Sequence, residues 1–343
     1  MTWQGIHEHD EVVEAFRHCA KQGRLANAYL FVGPAGIGKR SFANQLVKTM
    51  LCESHNEWEL IACGHCDSCQ QVSAGMHPDV IVIEKADDEN FIPIEAFIGD
   101  REHRNQVGLC HDIGLKPFSG RRKFAIVDDA DFLNIEGANS LLKTLEEPPP
   151  GSILILIGSS EQLQLPTIRS RCQTIRFGSL TTETVTELLS GIDSNADVAD
   201  VARSSEGSVG RAEQLLDEQT AKFRSWLIER LSFETIDSVE LGRKTIEFVE
   251  AVGTDTFARR ARIRVVLDMT IELFRQHVRQ GCQLEVVADS QVTTATQKVK
   301  RSASQAANAI DVCVDTREHL DANANLTGLM LWWAEELGLS AIG

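Results

Sequence analysis

The residues that decide the fold are Tyr29-Leu30-Phe31-Val32, followed at once by Gly33-Pro34-Ala35-Gly36-Ile37-Gly38-Lys39. The apolar run predicts a strand over Ala28–Val32, and the pattern of residues 41–51 predicts a helix. A glycine-rich turn between a strand and a helix is typical of a phosphate loop. Its backbone N–H groups converge, and the helix N-terminus adds partial positive charge. The residues predicted to bind nucleotide phosphates are Gly33, Gly36, Gly38 and Lys39, and the alternative is a plain glycine-rich turn.

Further apolar runs predict a parallel sheet around this strand. They lie at residues 79–84, 124–128, 153–157 and 174–177. Near-continuous Val, Ile and Leu runs separated by helical patterns are typical of parallel strands that are buried on both faces. From Thr181 onward the pattern is helical only. The sequence therefore predicts an α/β P-loop domain with a parallel sheet, followed by helices.

Two positions depart from what a hydrolysing P-loop site needs. A Ser or Thr that holds Mg²⁺ normally follows the loop lysine, and this chain has Arg40 there. Asp128, after the predicted strand 124–128, would face Mg²⁺, but Asp129 stands where motor ATPases have a glutamate that polarises water. Asp129 is one methylene shorter, and a misplacement of about 1 Å costs about 100-fold in rate. We expect weak ATP or ADP binding, poor Mg²⁺ binding and little hydrolysis, with a solvated acidic cluster as the alternative for Asp129 and Asp131.

Four of the nine cysteines lie within residues 52–69. C-x-x-C spacing brings sulfurs within reach of one ion, and four thiolates suit tetrahedral Zn²⁺. Because four protein ligands leave no open position, the zinc would be structural. His55 or His65 in place of one thiol is an alternative, and so is a redox pair. The predicted zinc ligands are Cys52, Cys63, Cys66 and Cys69.

Composition limits the possible partners. The formal net charge is −16, so the chain does not attract DNA by its overall charge. A nucleic-acid role would need a local basic patch or partner subunits. The first residues lack the apolar run of an export signal, and no apolar stretch has membrane-spanning length. With an odd number of cysteines, this predicts a reduced, cytoplasmic protein without membrane contact.

Three further motifs resemble one family. They are His77-Pro78-Asp79-Val80, the segment from Asn139 to Pro149 (NSLLKTLEEPP), and the segment from Leu165 to Gln173 with its Ser170-Arg171-Cys172. With the P-loop and the cysteine insertion, they resemble the bacterial DNA polymerase III clamp-loader subunits, which are AAA+ proteins. The resemblance covers roughly residues 25–178. The HPDV and DDAD forms are more similar to the delta-prime type than to the motor (tau/gamma) type.

The resemblance implies a stationary subunit in a pentameric ring with motor (tau/gamma) and delta subunits. Such a ring opens the β sliding clamp and loads it on primed DNA. Arg171 is implied to be an arginine finger that reaches the γ-phosphate of a neighbouring motor subunit, with Arg169 as the lesser candidate. Arg211 is implied to contact nucleotide phosphates from a helical lid, and Ser159 and Ser160 lie at the sensor-1 position. The alternatives are a helix cap or surface ion pair for Arg171 and a solvated helix start for Arg211.

We therefore predict three domains. Residues 1–178 form the AAA+ P-loop domain with its zinc module, residues 179–220 a helical lid, and residues 221–343 a helical oligomerisation collar. Four arginines between residues 259 and 264 form either a solvated helix face or a contact with a partner or DNA.

Three functions remain open at this stage. The first is a delta-prime-like subunit of the DNA polymerase III holoenzyme, a nucleotidyltransferase complex, with little or no ATPase activity of its own. The second is an active clamp-loader motor or another AAA+ ATPase. The third is a zinc-stabilised adaptor that transmits no catalysis.

Overall fold

The computed structural model of the chain describes residues 2–86, 89, 91–119, 121–192, 197–284, 288–322 and 324–342. The chain divides into two units. The first is Met1–Thr184 with Gly207–Gly210, and the second is Val185–Glu206 with Arg211–Gly343. The division into three domains at residues 178 and 220 stays a prediction.

The first unit is built on a five-stranded parallel sheet. A short antiparallel ribbon, β1 (Thr2–Trp3) and β2 (Ile6–His7), precedes it. The sheet strands are β3 (Ala28–Val32), β4 (Val80–Ile83), β5 (Lys123–Val127), β6 (Ser152–Gly158) and β7 (Gln173–Arg176). Their order across the sheet is β4-β5-β6-β3-β7. Each strand lies within one residue of its predicted bounds, which confirms the predicted parallel sheet.

Helices connect these strands. They are α1 (Asp10–Lys21), α2 (Lys39–Leu51), α3 (Asp67–Ser73), α4 (Glu95–Ile98), α5 (Leu109–Asp112), α6 (Ile135–Glu146) and α7 (Pro166–Arg169). Single 3₁₀ turns lie at Glu57–Glu59 and Ala130–Phe132. Helix α8 (Thr182–Leu189) follows the last strand.

Both faces of the sheet are covered by apolar side chains. Alternate residues of β3 point to opposite sides, so Phe31 packs in one cluster with Phe42 of α2. Leu30 packs in the other cluster with Phe97 of α4 and Leu141 of α6. Burial on both faces explains why the strands are near-continuous apolar runs rather than alternating ones.

The second unit is helical throughout its described residues. Its helices are α9 (Val198–Ser204), α10 (Val209–Leu216), α11 (Glu218–Leu231), α12 (Ser238–Glu250), α13 (Thr256–Gly281), α14 (Ser290–Lys298), α15 (Ala303–Asp321) and α16 (Leu326–Ile342). Leu267, Phe274 and Trp333 lie in its core with 1% exposure or less. Within the described ranges, no helix combines the length and the apolar character that crossing a bilayer requires.

The mostly polar residues 299–302 separate α14 from α15. Asp289 caps α14 by accepting hydrogen bonds from the backbone N–H groups of Gln291 and Val292 at 2.8 and 3.0 Å. Val292 and Ala295 are buried on one face of the helix. Residues 286 and 287 lie outside the described residues.

Candidate functional site

The predicted P-loop connects a buried strand to a helix. β3 ends at Val32 and α2 begins at Lys39. A Cβ atom on Gly33 would come 2.4 Å from the carbonyl oxygen of Phe177, the residue after β7. Gly36 has a φ of +73°, and a Cβ there would come 2.4 Å from the Ser208 hydroxyl. Both positions therefore require glycine.

The segment Gly207–Gly210 packs directly against the loop, within the same unit. The backbone N–H of Gly210 donates a hydrogen bond to the carbonyl of Gly36 at 3.2 Å. The sequence placed this glycine-rich stretch in a lid but did not predict that its backbone would bind the P-loop.

Lys39 is held by its own loop. Its Nζ donates to the carbonyl oxygens of Gly33 and Pro34, both at 2.6 Å. Burial lowers the pKa of Lys39, opposed by the negative charges of Asp131 and Asp128. A phosphate that enters the loop would have to replace the two carbonyl groups as the partner of this ammonium group.

The acidic pair after β5 has an unusual backbone. Asp129 has a φ of +56°, a left-handed conformation that is uncommon outside glycine and is often found at functional sites. Its N–H donates to Asp128 Oδ1 at 3.0 Å. Burial raises the pKa of Asp129, and the adjacent charge of Asp128 raises it further. Asp129 is thus half-buried beside a second carboxylate.

Asp131 is a structural residue. Its carboxylate accepts hydrogen bonds from the backbone N–H of Ser159 and from Gln164 Nε2, both at 2.6 Å. A Cβ on Gly158 would come 2.6 Å from the same carboxylate. Asp131 therefore ties the turn after β5 to the end of β6, contacts that favour a structural role for this residue.

Arg40 meets the two carboxylates that the sheet brings together. The parallel register pairs Ile83 of β4 with Val127 of β5, so the next residues, Glu84 and Asp128, lie side by side. The Arg40 Nη1 atom forms ion pairs with Glu84 and, at 3.2 Å, with Asp128 Oδ2. The sequence predicted that Arg40 cannot ligate a cation, but not where its guanidinium would bind.

This arrangement does not fit Mg²⁺. The carboxylate that would face the metal is already bound to a guanidinium, and the hydroxyl that normally completes the site is missing. Two cations at one carboxylate would repel each other. Phosphate binding by the P-loop and Lys39 stays a prediction.

The four predicted zinc ligands converge. The Sγ atoms of Cys52, Cys63, Cys66 and Cys69 lie within 4.8 Å of one another, and four thiolates bound to one zinc at about 2.3 Å would lie about 3.8 Å apart. Backbone N–H groups of Cys63 and Cys66 donate to the sulfurs of Cys52 and Cys63, both at 3.3 Å. Such donors stabilise thiolates, so the donor set fits Zn²⁺. His55 and His65 are not part of the converging group in the described chain.

A chain of hydrogen bonds, which the sequence did not predict, links this cluster to the His77-Pro78-Asp79 motif. Ser68, within α3, donates to Glu53 through both its backbone N–H (3.1 Å) and its hydroxyl (2.8 Å). The same hydroxyl lies 3.3 Å from His77 Nε2. The Asp79 backbone N–H donates to His77 Nδ1 at 3.0 Å.

Asp79 extends this chain to the segment before β5. Its fully buried carboxylate accepts the backbone N–H groups of Phe118 and Ser119 at 2.6 and 2.8 Å. Burial acts to raise the pKa of Asp79, but the hydrogen bonds from Ser119 and Phe118 outweigh it and lower the pKa. A short polar residue directly before an apolar strand was the only sequence signal for this role.

The predicted finger residue is anchored within its own unit. Arg171 follows α7, and its side chain is 31% exposed. Its guanidinium donates to Glu146, at the end of α6, through Nε at 2.9 Å and also through Nη2, and to the carbonyl of Thr167 at 2.9 Å. Arg169 lies 4.0 Å from Glu161. A partly exposed arginine held by one exposed carboxylate is free to exchange partners at low cost.

The other predicted arginines lie in the second unit. Arg211 forms ion pairs with Glu206 at 3.1 Å and with the buried Glu272 at 2.9 Å. Burial raises the pKa of Glu272, opposed by the positive charges of Arg224 and Arg211. A phosphate-sensing role for Arg211 stays a prediction.

The basic run on α13 has partners within the second unit. Each of its four guanidinium groups is bound to acceptors there, namely Gly253 for Arg259, Leu320 for Arg260, Phe248 and Gln219 for Arg262, and Asp321 for Arg264. These contacts favour a structural role over a surface reserved for DNA.

The thiol cluster generates a prediction on metal content. The purified chain is expected to contain about one zinc ion, because four converging thiolates form a closed tetrahedral site. Elemental analysis measures it. Cys63→Ser with Cys66→Ser should lose the zinc and destabilise the insertion. The matched control is Cys282→Ser, since Cys282 is exposed and outside the cluster. A folded, metal-free wild-type preparation would show that the cysteines do not hold zinc.

Comparisons with known proteins find similarity to DNA polymerase III subunits. The family described as "DNA polymerase III, delta subunit" matches residues 8–181. DNA polymerase III subunit delta' of Pseudomonas aeruginosa is 39% identical over 43% of this chain and 42% of its own length. The Bacillus subtilis delta' subunit is 26% identical over 96% of both chains. The tau subunit of Escherichia coli is 30% identical over 64% of this chain and 33% of its own length.

The matched family region contains the P-loop, the cysteine cluster, the acidic pair and Arg171. The aligned part spans less than half of the Pseudomonas relative, whereas it spans nearly all of the Bacillus one. Since the family match covers 174 of 343 residues (8–181), just over half of the chain, the chain belongs to the DNA polymerase III delta subunit family.

Proposed function

We propose that this chain is a stationary, delta-prime-type subunit of a bacterial DNA polymerase III clamp loader. Its own P-loop site does not drive hydrolysis, and Arg171 acts in trans on ATP held by a neighbouring motor subunit. The assembly, an AAA+ ring with tau/gamma and delta subunits in the cytoplasm, would use that hydrolysis to load the β sliding clamp on primed DNA. Family membership and the two delta' relatives support this class of function.

The observation that carries the non-motor role is the ion pair of Arg40 with Asp128. In a hydrolysing site, Mg²⁺ bridges phosphate oxygens and neutralises the charge that develops during transfer. A guanidinium at Asp128 lies where that metal would act. Asp129 is half-buried, and burial together with the adjacent charge of Asp128 raises its pKa.

The tau relatives favour a second candidate, an active motor. A motor needs both the metal ligand after the loop lysine and an unobstructed acidic residue after β5. This chain has neither. Arg40 replaces the hydroxyl residue after the loop lysine, and its guanidinium binds Asp128, the acidic residue after β5. We therefore place the motor role second and test it directly.

The isolated chain is expected to show negligible Mg²⁺-dependent ATP hydrolysis, since the Arg40 guanidinium binds Asp128, the residue that would face the metal. Phosphate release should be measured for this chain alone, for the motor subunits alone and for the reconstituted complex. The Lys39→Ala variant is the control for a contaminating ATPase, because Lys39 is the P-loop lysine. Robust turnover by the wild-type chain that Lys39→Ala abolishes would favour the motor role.

Arg171 has the geometry that a trans-acting group needs. It lies after α7 with a partly exposed side chain, and its guanidinium nitrogens donate to Glu146, Thr167 and Ser170, all on its own chain. A planar guanidinium can bind two phosphate oxygens at once, and a finger of this kind increases the rate of phosphoryl transfer by about 10³–10⁵.

Arg171→Ala should leave the chain folded and able to assemble, because an exposed ion pair contributes only about 0–1 kcal/mol to stability. The reconstituted complex should lose a large part of its DNA- and clamp-stimulated ATPase. The loss should be partial, since only the motor site that faces this subunit lacks its finger. Steady-state ATPase and clamp-loading rates measure the effect.

Two further variants test whether the guanidinium of Arg171 itself is needed. Arg171→Lys should rescue poorly, because an ammonium is a point charge without the planar fork. Arg169→Ala is the matched control, since Arg169 lies two residues away with a weaker ion pair, and a smaller effect is expected. Wild-type ATPase in the Arg171→Ala complex would exclude the finger and favour the adaptor role.

We place the assembly surface on the helical second unit. Val239 of α12 and Leu331 and Leu339 of α16 are exposed by 77%, 50% and 59%. The two helices lie against each other, since a Cβ on Gly338 would contact Ser238 and one on Gly242 would contact Leu331. The three apolar side chains therefore line one helix pair, an arrangement that favours a subunit interface.

The double variant Val239→Asp with Leu339→Asp should keep its thermal stability, because both side chains are more than half exposed. Its incorporation into the complex should fall, because charges would be buried in the interface. Size-exclusion chromatography with the motor and delta subunits measures incorporation. Val314→Asp, at an apolar position of α15 that is 45% exposed, is the matched control. Wild-type incorporation of the double variant would place the assembly surface elsewhere.

A further inference from the structure

Two carboxylates at the edge of the sheet converge on a single nitrogen atom. Glu84 Oε2 and Asp128 Oδ2 both bind Nη1 of Arg40. They come from adjacent parallel strands, and the backbone N–H of Asp128 donates to the carbonyl of Ile83 at 2.8 Å, which fixes their relative position. The two carboxylates therefore form a cation site, and Arg40 Nη1 occupies it.

The pairing of Arg40 with Glu84 and Asp128 is electrostatically favourable. Burial acts to lower the pKa of Arg40, but the hydrogen bond to Glu84 and the negative charges of Asp128 and Glu84 outweigh it and raise the pKa. The guanidinium is therefore permanently charged. Because it is covalently attached at the start of α2, this cation is always available at the site, whatever the metal concentration.

We propose that Arg40 is the resident cation of this P-loop site, and that its guanidinium holds the place at Glu84 and Asp128 that would otherwise accept a divalent metal ion. The site thereby excludes Mg²⁺ and Mn²⁺. Carboxylate oxygens are the ligands that these hard cations prefer, so the sheet retains the ligands and the arginine blocks them. This inference concerns the chain alone and does not depend on its role in a clamp loader.

The guanidinium is only partly used by these contacts. Among the described residues, the hydrogen bonds of Arg40 to Glu84 and Asp128 both run from Nη1, and its side chain is 48% exposed. The cation is therefore accessible from outside while its inner nitrogen binds the carboxylates.

The test is Mn²⁺ binding, measured from the electron paramagnetic resonance signal of the free ion. All proteins are saturated with zinc first, so that the cysteine cluster does not bind the probe. Arg40→Thr removes the cation and introduces the hydroxyl that metal-dependent sites have here. We expect this variant to bind one Mn²⁺ at least about tenfold more tightly than the wild type, a difference of ~1.4 kcal/mol.

Two further variants identify the site. Asp128→Asn in the Arg40→Thr background should abolish the gained affinity, because it removes one of the two carboxylates. Arg40→Gln removes the charge but keeps a long polar side chain, and it should also gain Mn²⁺ affinity. This variant tests the proposal should Arg40→Thr fold poorly.

Thermal unfolding gives a second measurement on the same proteins. With the cysteine cluster kept saturated with zinc and no chelator present, the melting temperature of the wild type should be the same with and without added Mg²⁺, whereas Arg40→Gln should melt lower without Mg²⁺ and recover when Mg²⁺ is added. The proposal is overturned if the wild type binds Mn²⁺ at a site that Asp128→Asn removes. It is equally overturned if neither Arg40 variant gains affinity, or if the gain survives Asp128→Asn.

Discussion

Burial of the parallel sheet on both faces is the constraint on which the site of the first unit depends. Apolar side chains above and below fix the register of β3, β4, β5 and β6, because a slip by one residue would turn the buried side chains of a strand to the opposite face. The carboxyl ends of these strands then meet at one edge of the sheet. The P-loop, Glu84, Asp128 and the β6 end that binds Asp131 all lie at this edge.

The strands and the P-loop could be predicted because their signals are local. A run such as SILILIG or AYLFV is buried whichever strands lie beside it, and the loop glycines stand between a strand and a helix. The position of Arg40 could not be predicted in this way. Its partners come from strands β4 and β5, so their convergence depends on strand order and register, which no short stretch of sequence encodes.

The same distinction holds for the cysteine cluster and the motif after it. Four thiols at close spacing indicate one ion, and the structure brings their sulfurs together. The HPDV motif was recognised only as a resemblance. Its physical role lies in the hydrogen bonds that run from Glu53 through Ser68 and His77 to Asp79. Asp79 then orients the backbone before β5, so the insertion and the acidic strand are connected through buried polar groups, each of which has a partner.

The two arginines that define the proposed role differ in how firmly they are held. Arg40 is bound by two carboxylates that the sheet fixes on adjacent strands, so releasing it would leave two negative charges facing each other. Arg171 is bound by one carboxylate at a helix end, by the Thr167 carbonyl and by the Ser170 hydroxyl, and its release leaves only one charged partner, the exposed Glu146, which water can solvate. The cost of moving each guanidinium follows from this difference. A group that must transfer to a phosphate on another subunit needs a weak resting contact, whereas a group that replaces a metal ion needs a strong one. The proposed roles therefore ask Arg171 to change partners and Arg40 to stay in place, although the sequence presents both simply as arginines beside nucleotide-site motifs.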